Sequence, residues 1–122
     1  MDIRCIVAGG RGFDDWHMLL RALDHYFGEA ITRGDTVTII SGTAKGADQM
    51  GEDYAKYRDL PVERYPADWN THGRAAGYYR NVEMAKTATH LIAFWDGVSK
   101  GTQHMINIGN KHNLEVRTVK YG

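Results

Sequence analysis

The chain has 122 residues, 43% of them hydrophobic, and its 15 Lys and Arg balance 15 Asp and Glu to a formal net charge of zero. That is enough length for one domain whose core needs neither disulfides nor metal. The charge balance supplies no overall field to draw the chain onto DNA or an acidic membrane. A lone cysteine, Cys5, excludes an intrachain disulfide and sits in an apolar run where a small core residue is expected. No apolar stretch approaches the ~18 residues of a membrane span, and the start carries no signal-peptide pattern. The expectation is one soluble, cytoplasmic domain over residues 1–122 with no membrane partner.

Apolar runs alternate with helical stretches, the pattern of βαβ units and a parallel sheet. The first strand is predicted over Asp2–Ala8. A helix follows from Asp15 to Phe27, with Trp16, Leu19, Leu20, Leu23 and Phe27 at helical spacing and Asp14 or Asp15 as its cap. Thr36–Ile40 reads as the second strand, Ala47–Arg58 as a helix closed by Pro61, and Val62–Tyr65 as a short third strand. An irregular stretch, Pro66–Arg74, leads into a helix over Ala75–Ala88. The fourth strand is His90–Trp95, then a helix over Thr102–His112 and a last strand, Glu115–Lys120. Right-handed crossovers between five strands favour a three-layer α/β fold with a mainly parallel sheet in the order 3-2-1-4-5. Such a sheet reverses its winding between strands one and four and opens a crevice at their carboxyl ends.

Three glycine-rich corners border or flank that crevice. They are Gly9-Gly10-Arg11-Gly12, Ser41-Gly42-Thr43-Ala44-Lys45-Gly46 with Asp48 just beyond, and Asp96-Gly97-Val98-Ser99-Lys100-Gly101-Thr102. Glycine lets backbone approach a ligand closely, and a helix start offers unpaired N–H groups and partial positive charge, so together the corners describe an anion pocket suited to nucleotide phosphates. Arg11, Lys45, Arg74, Arg80 and Lys100 are expected at this same edge. Asp48 either compensates the dipole of its helix or bonds a ribose hydroxyl. Trp69 either anchors its loop or, with Tyr78 or Tyr79, stacks a base and covers the pocket. Arg80 and Asn81 reach the crevice from a helix start, unless Arg80 is a surface ion pair.

Several chemistries lack their signatures. The first corner does not meet G-x-G-x-x-G, and the second is not a Walker A loop, because Lys45 precedes a glycine and no hydroxyl follows. The six histidines form no zinc pattern, so no metal is expected. There is no Gly-x-Ser-x-Gly elbow.

With these residues laid out, the chain resembles the SLOG superfamily, and closely its YspA/cpYpsA-related branch of bacteria and phages. The resemblance is carried in order by Gly9-Gly10-Arg11 with Phe13 and Asp15, then Ser41-Gly42, Ala44 and Gly46-Ala47-Asp48. It continues through Pro66-Ala67-Asp68-Trp69, Gly73, Ala76-Gly77, Arg80-Asn81 and Met84, and ends with Asp96-Gly97, Ser99 and Gly101-Thr102. It implies a Rossmann-like fold that binds a nucleotide or nucleotide-derived ligand, such as an NAD- or ADP-ribose-like molecule or a nucleoside phosphate, and a homodimer or higher homo-oligomer. The implied role is a sensor or sequestering module. In it Arg11, Ser41, Thr43, Lys45, Ser99, Lys100 and Thr102 hold phosphate, Arg80 and Asn81 lie nearby, and Trp69 contacts base or ribose.

Related branches supply two alternatives. One is single-stranded nucleic-acid binding, as in the DprA branch. The other is hydrolysis of an N-glycosidic bond, as in the LOG phosphoribohydrolases, whose site resembles Arg-x-x-x-Met followed by Pro-Gly-Gly-x-Gly-Thr-x-x-Glu. Arg80 and Met84 match the first part and Gly101-Thr102 the second, but Asp96-Gly97 replaces Pro-Gly and Met105 stands at the glutamate position. A thioether cannot polarise water. Cleavage would need another carboxylate, Asp15 or Asp96, acting beside Arg80.

Overall fold

A computed structural model describes residues 2–122. Five strands, β1 (Asp2–Gly9), β2 (Thr36–Ser41), β3 (Val62–Arg64), β4 (His90–Trp95) and β5 (Glu115–Lys120), form one sheet in the order β3-β2-β1-β4-β5. Every pairing is parallel, with Ile6 opposite both Ile40 and Leu91 at the centre. The expected order is therefore observed, and the sheet is parallel throughout. Its helices are α1 (Trp16–Arg33), α2 (Ala47–Arg58), α3 (Trp69–His72), α4 (Ala76–Thr87) and α5 (Lys100–Lys111). None is long and apolar enough to cross a membrane.

Strand side chains alternate between two cores. Cys5, Val7, Ile39, Ile92 and Phe94 pack on one face against Leu19, Leu23 and Phe27 of α1 and Tyr54 of α2. Ile6, Ala8, Ile40, Leu91 and Ala93 pack on the other against Met84 and Ala85 of α4 and Met105 of α5. Cys5 is fully buried as expected, and burial pushes its thiol pKa up, which keeps it an inert core group.

The element bounds differ from expectation in informative places. α1 runs past Phe27 to Arg33, because Gly28 continues the helix and Gly34 ends it in the left-handed conformation, with its N–H bonded back to Ala30 and Ile31. The stretch expected to be irregular contains α3, capped by Asp68 accepting from the Thr71 N–H at 3.1 Å, and then a tight turn over Gly73–Ala75. α5 begins at Lys100, two residues earlier than expected, so Gly101 and Thr102 lie in its first turn.

Candidate functional site

Backbone contacts join the ends of β1 and β4 to the start of α2. The Gly10 carbonyl accepts from the N–H groups of Phe13 (3.2 Å) and Ala47 (3.3 Å), while the Gly10 N–H donates to the Phe94 carbonyl (3.3 Å). Gly46 makes the close approach possible: its φ is +82°, and a Cβ there would fall 2.2 Å from the Gly10 carbonyl oxygen. The result is a fixed floor at the crevice between β1 and β4.

Over that floor lies a cavity of about 430 Å³. Gly9, Gly10 and Arg11 border it from the end of β1, and Ala44 and Asp48 from the second corner. Trp69, Arg74, Gly77, Tyr78, Arg80, Asn81 and Met84 border it from α3 through α4, and Ser99, Gly101, Thr102 and Met105 from the start of α5. Of the residues expected at the crevice, the structure thus brings together Gly9, Gly10, Arg11, Asp48, Trp69, Arg74, Arg80 and Asn81, with Ser99, Gly101 and Thr102 from the last corner. Three arginines, Arg11, Arg74 and Arg80, reach the cavity, and among the described residues none of them has a carboxylate ion partner.

The remaining residues expected to bind do not line the cavity, each for a physical reason. The Ser41 hydroxyl donates to Glu52 Oε2 at 2.6 Å and accepts from the Thr43 N–H at 3.0 Å. Thr43 (φ +67°) and Lys45 are exposed on the outside of their turn. Gly42 contributes its carbonyl rather than an N–H, accepting from Arg80 Nη1. Gly46 is occupied by the Gly10 approach. Asp96 folds its own loop, its Oδ1 accepting from the N–H groups of Val98 and Ser99 at 2.8 Å each, which holds its pKa below the usual carboxylate range. Gly97 lies against Lys120, and Lys100 is exposed at the helix start.

Asp15 caps α1 through the Met18 N–H at 3.0 Å. Neither Asp15 nor Asp96 lines the cavity, which corrects their assignment as substitute carboxylates. Asp48 is the carboxylate that lines it.

Asp48 is buried, 6% exposed, in the first turn of α2. Its Oδ2 accepts from the Ala44 N–H at 3.3 Å. Asp48 borders the cavity from this turn. Burial raises its pKa to about 6 against the opposing pull of the Ala44 N–H, Arg80 and Arg11. Asp48 and Arg80 both crowd the side of Gly42 where a Cβ would project, which would sit 2.8 Å from Asp48 Oδ2 and 3.0 Å from Arg80 Nη1. Burial lowers the pKa of Arg80, and a guanidinium nonetheless stays charged. Arg80 Nε donates to Asn81 Oδ1 at 3.2 Å, and Asn81 Nδ2 meets His104 Nδ1 at 3.1 Å.

At the opposite wall, α5 starts at Ser99 with no side-chain cap. The N–H groups of its first turn have no intrahelical partner, and they carry the positive end of the helix dipole. Trp95 Nε1 fixes the approach to this turn by donating to the Ser99 carbonyl at 3.0 Å. Met84 and Met105 give the cavity an apolar base, and Trp69, 54% exposed, stands at its rim. Arg74 borders the cavity from the Gly73–Ala75 turn and Tyr78 from the first turn of α4, whereas Met84 and Met105 reach it through the register of α4 and α5, a signal available from sequence only once helix phase is known. Among the described residues no group of His, Cys, Asp and Glu could hold a metal ion.

These features define an open parallel α/β protein with a cation-lined cavity at its topological switch point. The chain belongs to the YspA, cpYpsA-related SLOG family, whose model matches residues 3–72. That match covers the first two corners and Trp69 and stops before Arg74, Arg80 and α5. The chain is also similar to the Gene 61 protein of Mycobacterium phage D29, with 31% identity over 86 residues, 66% of this chain and 69% of the relative. No solved structure matches it significantly.

Proposed function

We propose that the cavity binds a nucleotide or nucleotide-derived ligand, as the core of a sensor or sequestering module. One observation carries this reading: Arg11, Arg74 and Arg80, without carboxylate partners, face the same cavity as the uncapped start of α5. A phosphate suits these donors because guanidinium groups and free helix N–H groups both bind oxyanions. Asp48 and Asn81 supply polar contacts for sugar hydroxyls, and Trp69 and Tyr78 offer aromatic faces to a base. Family membership supports a nucleotide-related ligand. A single hollow of about 430 Å³ favours a small molecule over an extended nucleic-acid strand, which needs a groove that follows its backbone. Titration calorimetry of the full chain with AMP, ADP-ribose, NAD and a cyclic derivative tests the reading. Saturable binding of at least one is expected, and silence across the panel at millimolar concentration overturns it.

A second reading, hydrolysis of an N-glycosidic bond, is favoured only by Asp48, a cavity carboxyl whose pKa of about 6 suits proton transfer near neutrality. Met105 at the cavity base supplies no such chemistry. Incubation with nucleoside monophosphates and chromatography for free base decides it: release lost in Asp48→Asn would favour cleavage, and no release above buffer would exclude it.

A further inference from the structure

The hydrogen-bond chain behind Arg80 has a forced polarity. A guanidinium only donates. The Asn81 atom facing Arg80 Nε at 3.2 Å is therefore the carbonyl Oδ1, and the amide nitrogen must point at His104. That nitrogen also only donates, so His104 Nδ1 accepts, carries no proton, and leaves the ring hydrogen on Nε2. Turning the amide over would set its NH₂ against the guanidinium. Protonating His104 would set an N–H against the amide NH₂. Either change breaks the chain.

From this we infer that His104 is a positioning residue: it orients Asn81 and through it steadies the Arg80 guanidinium in the cavity, so that ligand binding there requires neutral His104. The inference about ligand rests on the cavity reading above; the inference about the chain does not. The surroundings of His104 agree with a neutral ring. Tyr78 of α4 lies against it, ring centres 4.4 Å apart, and Arg80 at the far end of the chain is the charged group from that helix. On its own helix Lys100 precedes it by one turn, and α5 meets the sheet through the apolar Leu91, Ala93 and Val116. Burial lowers its pKa.

Two experiments on the full chain test this. Long-range ¹H–¹⁵N NMR of the free protein reports the tautomer: a pyridine-like Nδ1 and a pyrrole-like Nε2 are expected, and the opposite tautomer overturns the proposal. In the same spectra the Arg80 Nε–H resonance is expected to be protected in the wild type and in His104→Gln, whose side-chain carbonyl restores an acceptor, and exchange-broadened in His104→Phe. Equal protection in all three overturns it. AMP calorimetry between about pH 5 and 8 then reads the coupling. His104→Phe is expected to bind about tenfold more weakly near neutrality, the loss typical of a buried donor left unpaired. Wild type is expected to lose affinity relative to His104→Gln as pH falls, and parallel profiles in the two proteins overturn the coupling. Silence of AMP, ADP-ribose, NAD and the cyclic derivative alike would sink the cavity reading and leave the chain to the NMR result.

Discussion

Two sets of arginines divide this molecule. Away from the cavity four hold a carboxylate: Arg4 donates to both oxygens of Glu63 at 2.8 Å, Arg58 pairs with Asp24, Arg64 with Glu52 and Arg33 with Asp35, while among the described residues the exposed Arg21 and Arg117 hold none. At the carboxyl end of the sheet Arg11, Arg74 and Arg80 have, among the described residues, no carboxylate at ion-pair distance, although Asp48 lines the same hollow, and Arg80 is the most deeply placed of the three. A protein with zero net charge thus pairs the first four arginines locally and leaves those around one hollow unpaired. The difference teaches that a functional field can be concentrated without any excess of total charge.

The sharpest way to break the comparison is Arg80→Ala, expected to weaken AMP binding about a hundredfold or more in calorimetry, because a charge-assisted contact and the order of Asn81 are lost together. If affinity survives, the buried arginine has no place in binding.

Next comes Asp48→Asn, which should move stability and affinity in opposite directions. The folded pKa of about 6 lies above the unfolded value of 3.8, so the folded protein holds more protons between those pH values. Wild-type stability from this group therefore rises as pH falls from about 6 toward 3.8, and above 6 the carboxylate exerts its full penalty. The neutral amide removes that penalty, worth up to about 3 kcal/mol, so denaturant melts above pH 6 should show a more stable variant with a flatter pH profile. Its AMP affinity is expected to fall about tenfold through the lost sugar contact. A less stable variant would mean that Asp48 is a structural cap.

Arg74, exposed on the rim, should matter less. Arg74→Ala is expected to lower affinity about threefold to fivefold, with most of the loss erased by added salt. The smallest effect belongs to the other set: Arg58→Ala should leave AMP affinity unchanged and cost at most about 1 kcal/mol in thermal or denaturant unfolding. A loss of binding there would erase the distinction between the two sets.

Much of the architecture was legible because it rests on period and punctuation. The apolar runs alternate with helices of clear phase, and right-handed crossovers then leave little choice of strand order. Ala47–Arg58 was readable to the residue because glycine precedes it and proline closes it. Phe27 was a false end because Gly28 resembles a stop, while Gly34, with its positive φ, is the real one.

The site was legible at the level of loops and not of side-chain direction. Ser41 lies on the expected corner, yet Glu52, one strand-to-helix turn later in the chain, claims its hydroxyl. Asp96 and Asp48 looked alike in sequence as acids at corners. One is consumed by the N–H groups of its own loop, and the other lines the hollow. His104 drew attention only as a non-metal histidine, and its link to Arg80 needed the packing of α4 against α5.

The stitching of Gly10 to Phe94 and Ala47 has a consequence for how such proteins diversify. The parts that fix the corners are main-chain atoms, which substitutions elsewhere leave untouched, whereas every side chain of the four-residue α3 is exposed. On the cavity reading proposed above, that short turn around Trp69 is where recognition could be rewritten without reopening the corners beneath it. A descendant with new selectivity would need only a handful of changes, all in the least costly place to make them.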